Sequence, residues 1–181
     1  MDFDLPGEVK LLKEIAQRFV DEELIPKENE YRPEGEEGMP EEILKPLQEK
    51  AKDLGLWLLE VPEEYGGAGL GLLPRCIITE ELSRTVLLPF RENEIFGPNV
   101  RPVLFHCSDE QKELFLYPVI RGEKRICFAQ TEPDAGSDAN SGKTSAVLTS
   151  DKKSYKINGQ KMWISNAGFA QLFIVFARIE N

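Results

Sequence analysis

The sequence predicts a multi-domain α and β fold, in which an all-α helical N-terminal domain precedes part of an antiparallel β-barrel-like domain. Over the first two thirds of the 181 residues, apolar side chains recur at spacings of three and four, as on the buried face of a helix. After Gly122 the pattern changes to short alternating or continuous apolar runs, which are typical of strands. Because helices come first and strands second, we expect two domains, 1–124 and 125–181.

The first helix is expected to run from Leu5 to about Glu30. Asp4 suits the capping position, and Pro6 falls in the first turn, where its missing N–H costs nothing. A connector rich in charge, glycine and proline follows at 31–40.

Two further helices are expected before the middle of the chain. One covers Glu41 to Leu54, and because a proline inside a helix costs about 3 kcal/mol, Pro46 predicts a late start or a kink. The glycine-rich stretch 61–71 predicts a loop. The next helix is predicted from Leu72 to Thr85. Its core-facing stripe is expected to be Leu73, Cys76, Ile77 and Glu80.

A last helix precedes the strands. Ser108 and Gln111 have the spacing of a capping box, in which each residue bonds the backbone of the other. This predicts a helix that begins near Asp109 and ends before Gly122.

Strands are predicted at 126–131 and 144–150. Asn158-Gly159 lies between alternating segments and is the strongest short hairpin signal in the chain. The apolar run 171–179 predicts a strand that is buried on both faces. Four or five strands are too few for a closed barrel, so we expect that more chain, or a partner chain, completes the sheet and that the sequence is a fragment.

Composition and charge argue against several functions. The net charge of −10 is unsuited to non-specific binding of nucleic acid or of an anionic membrane. The three cysteines are far apart and form no Cys-x-x-Cys, so neither a disulfide framework nor a structural metal site is expected. No apolar run approaches the roughly 18 residues of a membrane span. We therefore expect a cytoplasmic protein, or one of an organelle matrix if a transit peptide has been removed.

The stretch CFAQTEPDAGSD (127–138) has the features of a strand end followed by a bare backbone. Thr131 ends the predicted strand, and Ala135 to Ser137 would let a flat or phosphorylated ligand approach closely. By itself the stretch favours a surface turn over a ligand loop. A metal loop fits least, because its three acids do not match the calcium-loop pattern.

The stretch INGQKMWISNAG (157–168) places a tryptophan beside a hydroxyl residue. Trp163 is a flat apolar plate with Ser165 as a polar neighbour, which suits an aromatic ligand such as a flavin. The alternative is that Trp163 is a core residue whose N–H bonds a carbonyl.

Together, in this order and spacing, the two stretches resemble the β-domain motifs of the acyl-CoA dehydrogenase family. Three upstream stretches are also similar to that family: VPEEYGGAGL, ITEELSR and SDEQKELFLYPVIRGEK. The resemblance implies a helical domain, a middle β domain and a C-terminal four-helix domain, of which the last is absent here. It further implies non-covalently bound FAD, an acyl-CoA substrate that loses hydrogen across Cα–Cβ, an electron-transfer flavoprotein as acceptor, and a homo-oligomer.

Carried over by motif position, the resemblance implies that five residues bind the flavin: Phe128, Gln130, Thr131, Trp163 and Ser165. The Thr131 hydroxyl and the backbone at Gln130 would bond the pyrimidine end. Trp163 would pack on the isoalloxazine ring, and Ser165 would bond near N5.

On the substrate side, the resemblance implies that Ser137 contacts the pantetheine or thioester of the acyl-CoA. Asp134 departs from the family, which commonly has a small residue there, and it adds negative charge near an anionic ligand. The family's catalytic carboxylate lies in the C-terminal domain, so no catalytic residue is expected in this chain. A flavin-dependent oxidase or monooxygenase of the same fold is one alternative, and a non-catalytic module that needs a partner chain is another.

Overall fold

The computed structural model describes residues 4–29, 39–87 and 94–180. The chain divides into two compact units, Met1–Gly122 and Glu123–Asn181. Helices make up the first unit and strands the second, which confirms the predicted order. Most of the predicted connector, 31–38, lies outside the described residues.

Helix α1 (Gly7–Phe19) continues through a π-helical turn (Val20–Leu24) and a 3-10 turn (Ile25–Asn29). The predicted cap is wrong. Pro6, with extended backbone, occupies the capping position, and the Asp4 carboxylate lies 3.6 Å from Lys10 Nζ instead. The extended backbone of Pro6 delays the start of the helix to Gly7, so Asp4 lies two residues before the capping position.

Helix α2 (Glu41–Asp53) starts at the first predicted residue, so a late start is wrong, and the alternative of a kink at Pro46 stays a prediction. Pro46 lies inside the helix. Leu44, Leu47 and Ala51 are buried in the core, and their burial offsets the hydrogen bond that the proline cannot donate.

Helix α3 (Leu72–Leu82) turns a different face to the core than the sequence predicts. Leu73 is 49% exposed, whereas Ile78, Glu81 and Leu82 are buried. Glu81 can be inside because its carboxylate accepts a hydrogen bond from Gln17 of α1 at 3.0 Å. The predicted stripe contains the neighbouring Glu80, which is exposed, so spacing along the helix does not by itself select the buried face.

The loop between α2 and α3 is folded tightly onto itself. Gly69 N donates to Val61 O at 2.9 Å, and Leu70 N donates to Leu59 O at 2.9 Å. A Cβ on Gly67 would lie 2.5 Å from the Val61 carbonyl carbon and closer still to its oxygen. Only glycine fits there, because the two backbone segments approach too closely for a side chain.

The predicted capping box is present at the start of α4 (Asp109–Gln111). Gln111 N donates to Ser108 Oγ at 3.3 Å, and Ser108 N donates to Gln111 Oε1 at 3.1 Å. The helix continues through a π-helical turn (Lys112–Leu116) into α5 (Tyr117–Ile120).

Five short strands form two sheets. They are β1 (Ile126–Ala129), β2 (Ser145–Leu148), β3 (Tyr155–Asn158), β4 (Leu172–Val175) and β5 (Arg178–Glu180). β1 pairs with β4 in parallel, and β2 lies between antiparallel β3 and parallel β5. The predicted antiparallel pairing therefore holds only for β2 and β3. Long crossover segments bring β4 beside β1 and β5 beside β2 in the same direction.

The predicted hairpin turn is also misplaced. The turn joins β2 to β3, where Thr149 N donates to Ser154 O at 2.8 Å. Gly159 serves close packing instead, because a Cβ there would lie 2.7 Å from Thr144 Cα. The run 171–179 is not one strand buried on both faces. It divides into β4 and the start of β5, which join different sheets, and it exposes Phe173 and Phe176.

Within the described ranges 4–29, 39–87 and 94–180, no helix is long and apolar enough to cross a membrane.

Candidate flavin- and acyl-CoA-binding site

Two loops of the β unit carry the predicted site residues. The first loop, 130–138, follows β1, and the second loop, 159–168, follows β3. They are held together, because Met162 N donates to Thr131 O at 3.0 Å and Lys161 Nζ donates to Gln130 O at 3.0 Å. These two hydrogen bonds thus hold the two sequence motifs in contact.

Glu132 is the centre of this contact. Its side chain is 6% exposed, and Oε1 lies 2.8 Å from Lys161 Nζ, which is itself on a side chain only 14% exposed. The carboxylate also accepts from Lys143 N at 2.6 Å and from Thr144 N at 3.0 Å. One buried carboxylate therefore fixes both loops and the start of β2.

These contacts stabilise the ionised form of the carboxyl. The Lys161 ammonium and the hydrogen bonds from residues 143–144 hold the pKa of Glu132 well below its usual range. Glu132 is therefore a structural anion at neutral pH and not a proton acceptor.

A cavity of about 170 Å³ adjoins this cluster. Its lining comes from both loops, from residues 139–144 and from residues 176–178. The polar members are Gln130, Glu132, Asn140, Thr144, Lys161 and Arg178.

The predicted flavin residues from the first loop and β1 are half-buried. Phe128 lies in β1, and its ring packs edge-on against Phe176 with centroids 4.9 Å apart. Gln130 and Thr131 follow directly and are also half-buried. No described residue accepts a hydrogen bond from the Thr131 N–H.

The predicted residues of the second loop are at the surface. Trp163 is 82% exposed and has a positive φ of 58°, a conformation that costs a non-glycine residue free energy. The alternative that Trp163 is a core residue does not hold in this unit. Ser165 is exposed, and so is Ser137 of the first loop.

Asp134 has a counter-ion in the structure. Its Oδ2 lies 2.8 Å from Lys143 Nζ, with both side chains exposed. The negative charge that departs from the family pattern is therefore paired locally, although an exposed pair of this kind adds little stability.

Glu132 and Lys161 are the site residues that the sequence did not indicate. Glu132 stood out only as one of three nearby acids, and Lys161 lies between the hairpin signal and Trp163. Their pairing depends on a contact between loops that are distant in sequence, which no local pattern shows.

The arrangement can bind a flat ligand but offers little chemistry of its own. It supplies an open aromatic plate, a hydroxyl and a backbone N–H without an acceptor among the described residues, which fit a flavin ring. Within those same residues, no three histidine, cysteine, aspartate or glutamate side chains gather as metal ligands would.

The chain matches two family models. Residues 6–123 match the acyl-CoA dehydrogenase N-terminal domain, and residues 127–181 match the acyl-CoA dehydrogenase middle domain.

Two curated relatives illustrate the similarity. A probable acyl-CoA dehydrogenase of Bacillus subtilis (strain 168) is 34% identical over 178 residues, which are 98% of this chain and 29% of the relative. An acryloyl-CoA reductase (NADH) of Anaerotignum propionicum is 34% identical over 180 residues, which are 99% of this chain and 44% of the relative.

Solved structures agree. An acyl-CoA dehydrogenase complexed with FAD from Bacillus anthracis is 33% identical, with a TM-score of 0.69, and the match covers 97% of this chain and 29% of that one. A putative acyl-CoA dehydrogenase from Mycobacterium abscessus is 27% identical, with a TM-score of 0.78, and the match covers 98% of this chain and 47% of that one. The chain thus spans less than half the length of these relatives.

Proposed function

Because the chain belongs to the acyl-CoA dehydrogenase family, we propose that it is the N-terminal part of an FAD-dependent enzyme that removes hydrogen across Cα–Cβ of an acyl-CoA thioester. The observation that carries this proposal is the open Trp163 plate in a loop tied to the loop of Thr131. A tryptophan that is 82% exposed and has a positive φ buries little apolar surface in this unit, so a flat ligand is its most economical explanation.

The flavin-binding roles follow from this arrangement. Trp163 packs on the isoalloxazine ring, and Ser165 bonds near N5. Gln130 and Thr131 bond the pyrimidine end, and Phe128 supports the ring from β1. FAD supplies the hydride acceptor when it is bound, and the residues of this chain position it.

The substrate-side role falls to Ser137, which we propose contacts the pantetheine or thioester of the acyl-CoA. The base that takes the α-proton is expected in the C-terminal domain of the family, beyond residues 1–124 and 125–181, the two domains proposed here. This chain alone is therefore proposed to be inactive and to hold FAD only weakly. The complete protein is proposed to act as a homo-oligomer in the cytoplasm or an organelle matrix, with an electron-transfer flavoprotein as acceptor.

A second candidate is the reverse direction of the same chemistry. One relative that matches over nearly all of this chain is named as an acryloyl-CoA reductase, so reduction of an unsaturated acyl-CoA is a specific alternative. An oxidase or monooxygenase of the same fold would reveal itself by oxygen consumption without an added electron acceptor. A non-catalytic module would form a stable oligomer without flavin, through exposed side chains such as Phe173 and Ile179.

Titration of the chain with FAD, followed by the visible absorbance of the flavin, tests the proposal. We expect a protein-dependent change in the flavin spectrum with a Kd weaker than about 1 µM. Trp163→Ala should abolish the change. Tyr155→Ala, which removes an exposed aromatic ring from β3, is the matched control and should retain it.

Two results would contradict the proposal. Equal loss of binding in both variants would remove Trp163 from the site. Submicromolar binding by the unmodified chain would refute the claim that the rest of the cofactor site lies outside it.

A further inference from the structure

We propose that Lys161 is a positioning residue, which holds and polarises the Gln130–Thr131 peptide group so that the Thr131 N–H is a preset hydrogen-bond donor for an electron-rich atom of the ligand. This inference rests on the proposed function and deepens it, because it gives a role to a residue that the sequence motifs leave without one.

The position of the ammonium relative to the peptide plane is the first step. Lys161 Nζ lies 3.0 Å from Gln130 O. A peptide group is planar and trans, so its C=O and N–H point in opposite directions. A lysine that anchors the Gln130 carbonyl from one side therefore directs the Thr131 N–H to the other side.

The next peptide group is fixed as well. Thr131 O accepts from Met162 N at 3.0 Å. Both peptide planes that flank Thr131 are thus held by consecutive residues of the second loop. Since no described residue accepts from the Thr131 N–H, this donor is held in place without being used by the part of the chain that the structure describes.

The charge of Lys161 adds an electronic effect. The peptide C–N bond is delocalised, so a cation at the carbonyl oxygen withdraws electron density from the N–H of the same group. Hydrogen bonds in a chain polarise one another in this way, and the effect is stronger where water is excluded. The Lys161 side chain is 14% exposed, which limits screening by solvent.

Glu132 makes a buried ammonium possible at this place. Its carboxylate lies 2.8 Å from Lys161 Nζ and is itself fixed by Lys143 N and Thr144 N. The carboxylate neutralises the charge of the ammonium and fixes its position. The N–H dipole at Thr131 is therefore preorganised for charge that develops on the ligand, as in an oxyanion hole.

NMR of the whole chain without flavin tests the inference directly. We expect Lys161→Met to move the Thr131 amide proton upfield, because the polarising cation is lost. Lys161→Arg should restore most of the shift, since a guanidinium retains the charge and the donors. Lys156→Met removes an exposed lysine from β3 and should leave the Thr131 amide unchanged.

A second variant guards against failure to fold. The double variant Glu132→Gln with Lys161→Met leaves no unpaired buried charge, and it should show the same upfield shift. Equal shifts of the Thr131 amide proton in Lys161→Met and Lys156→Met would overturn the inference. An upfield shift in Lys161→Met that persists in Lys161→Arg would overturn it as well.

Addition of FAD separates this inference from the proposed function. A Thr131 amide that responds to Lys161 but not to FAD supports the positioning role and contradicts the flavin site. A Thr131 amide that responds to FAD equally in the unmodified chain and in Lys161→Met supports the flavin site and overturns the positioning role.

Discussion

Replacement of Glu81 by glutamine should destabilise the helical unit, although the two side chains have nearly the same shape. The carboxylate accepts from Gln17 at 3.0 Å and from Arg84 at 3.3 Å, and Lys13 Nζ lies 3.4 Å away. The Glu81 side chain is only 5% exposed. Glutamine has one acceptor oxygen where the carboxylate has two, and its NH₂ group would face donors.

The size of the effect follows from the exposure of the partners. Breaking a buried ion pair costs about 3–5 kcal/mol. Because Lys13 and Arg84 are 33% and 42% exposed, water takes over part of their solvation, and we expect a loss of about 2 kcal/mol. For a chain of this length, that corresponds to a fall in Tm of about 4–8 °C.

The assay is urea unfolding followed by far-ultraviolet circular dichroism, which reports on the helices. Glu80→Gln is the matched control, because it makes the same chemical change at the adjacent, exposed position and should stay within about 0.5 kcal/mol of the unmodified chain. A Glu81→Gln variant as stable as Glu80→Gln would refute the claim that this network stabilises the contact between α1 and α3.

Three further outcomes are expected. The pKa of Glu132 is lower in the folded chain than its ordinary value of 4.5, so its contribution to the stability of the fold is present above that pH and is lost as the pH falls below it. Urea midpoints measured from neutral to acidic pH should therefore fall less steeply in Glu132→Gln than in the unmodified chain. Gly67→Ala should prevent stable folding because the new methyl group meets the Val61 carbonyl, whereas Gly71→Ala, with open space around it, should fold normally as judged by circular dichroism. Trp163→Gly should raise the free energy of unfolding by about 1 kcal/mol relative to Trp163→Ala, because glycine relieves the positive φ, and equal stability of the two variants would show that the strain is absent.

The fold was predictable where local chemistry decides the structure. The capping box of Ser108 and Gln111 is set by residues three positions apart, and the structure contains both of its hydrogen bonds. The inward face of α3 was not predictable, because the burial of Glu81 depends on Gln17 and Lys13, which lie on another helix. Asn158-Gly159 forms no hairpin turn for a related reason, since Gly159 is needed where the chain passes Thr144.

The candidate site shows the same division. The resemblance assigned the segments of Thr131 and Trp163 to one site, and the hydrogen bond from Met162 N to Thr131 O joins these segments. Both residues lie in loops, however, and not in the predicted strand 126–131 or in a strand after the predicted hairpin. The roles proposed for the flavin and substrate residues remain predictions until binding is measured. Glu132 and Lys161 could not be foreseen, because their burial and pairing arise only when the two loops meet.

The parallel pairing of β1 with β4 has a consequence for the order of folding. The β2–β3 hairpin closes over a short turn and can form early, whereas β1 must wait for a strand that is synthesised much later. Contacts between segments that are distant in sequence form slowly, and the helical unit precedes them during synthesis. The loops that contain Thr131 and Trp163 lie between β1 and β4 in the chain. This ligand-facing part is therefore expected to be the last to reach its final conformation.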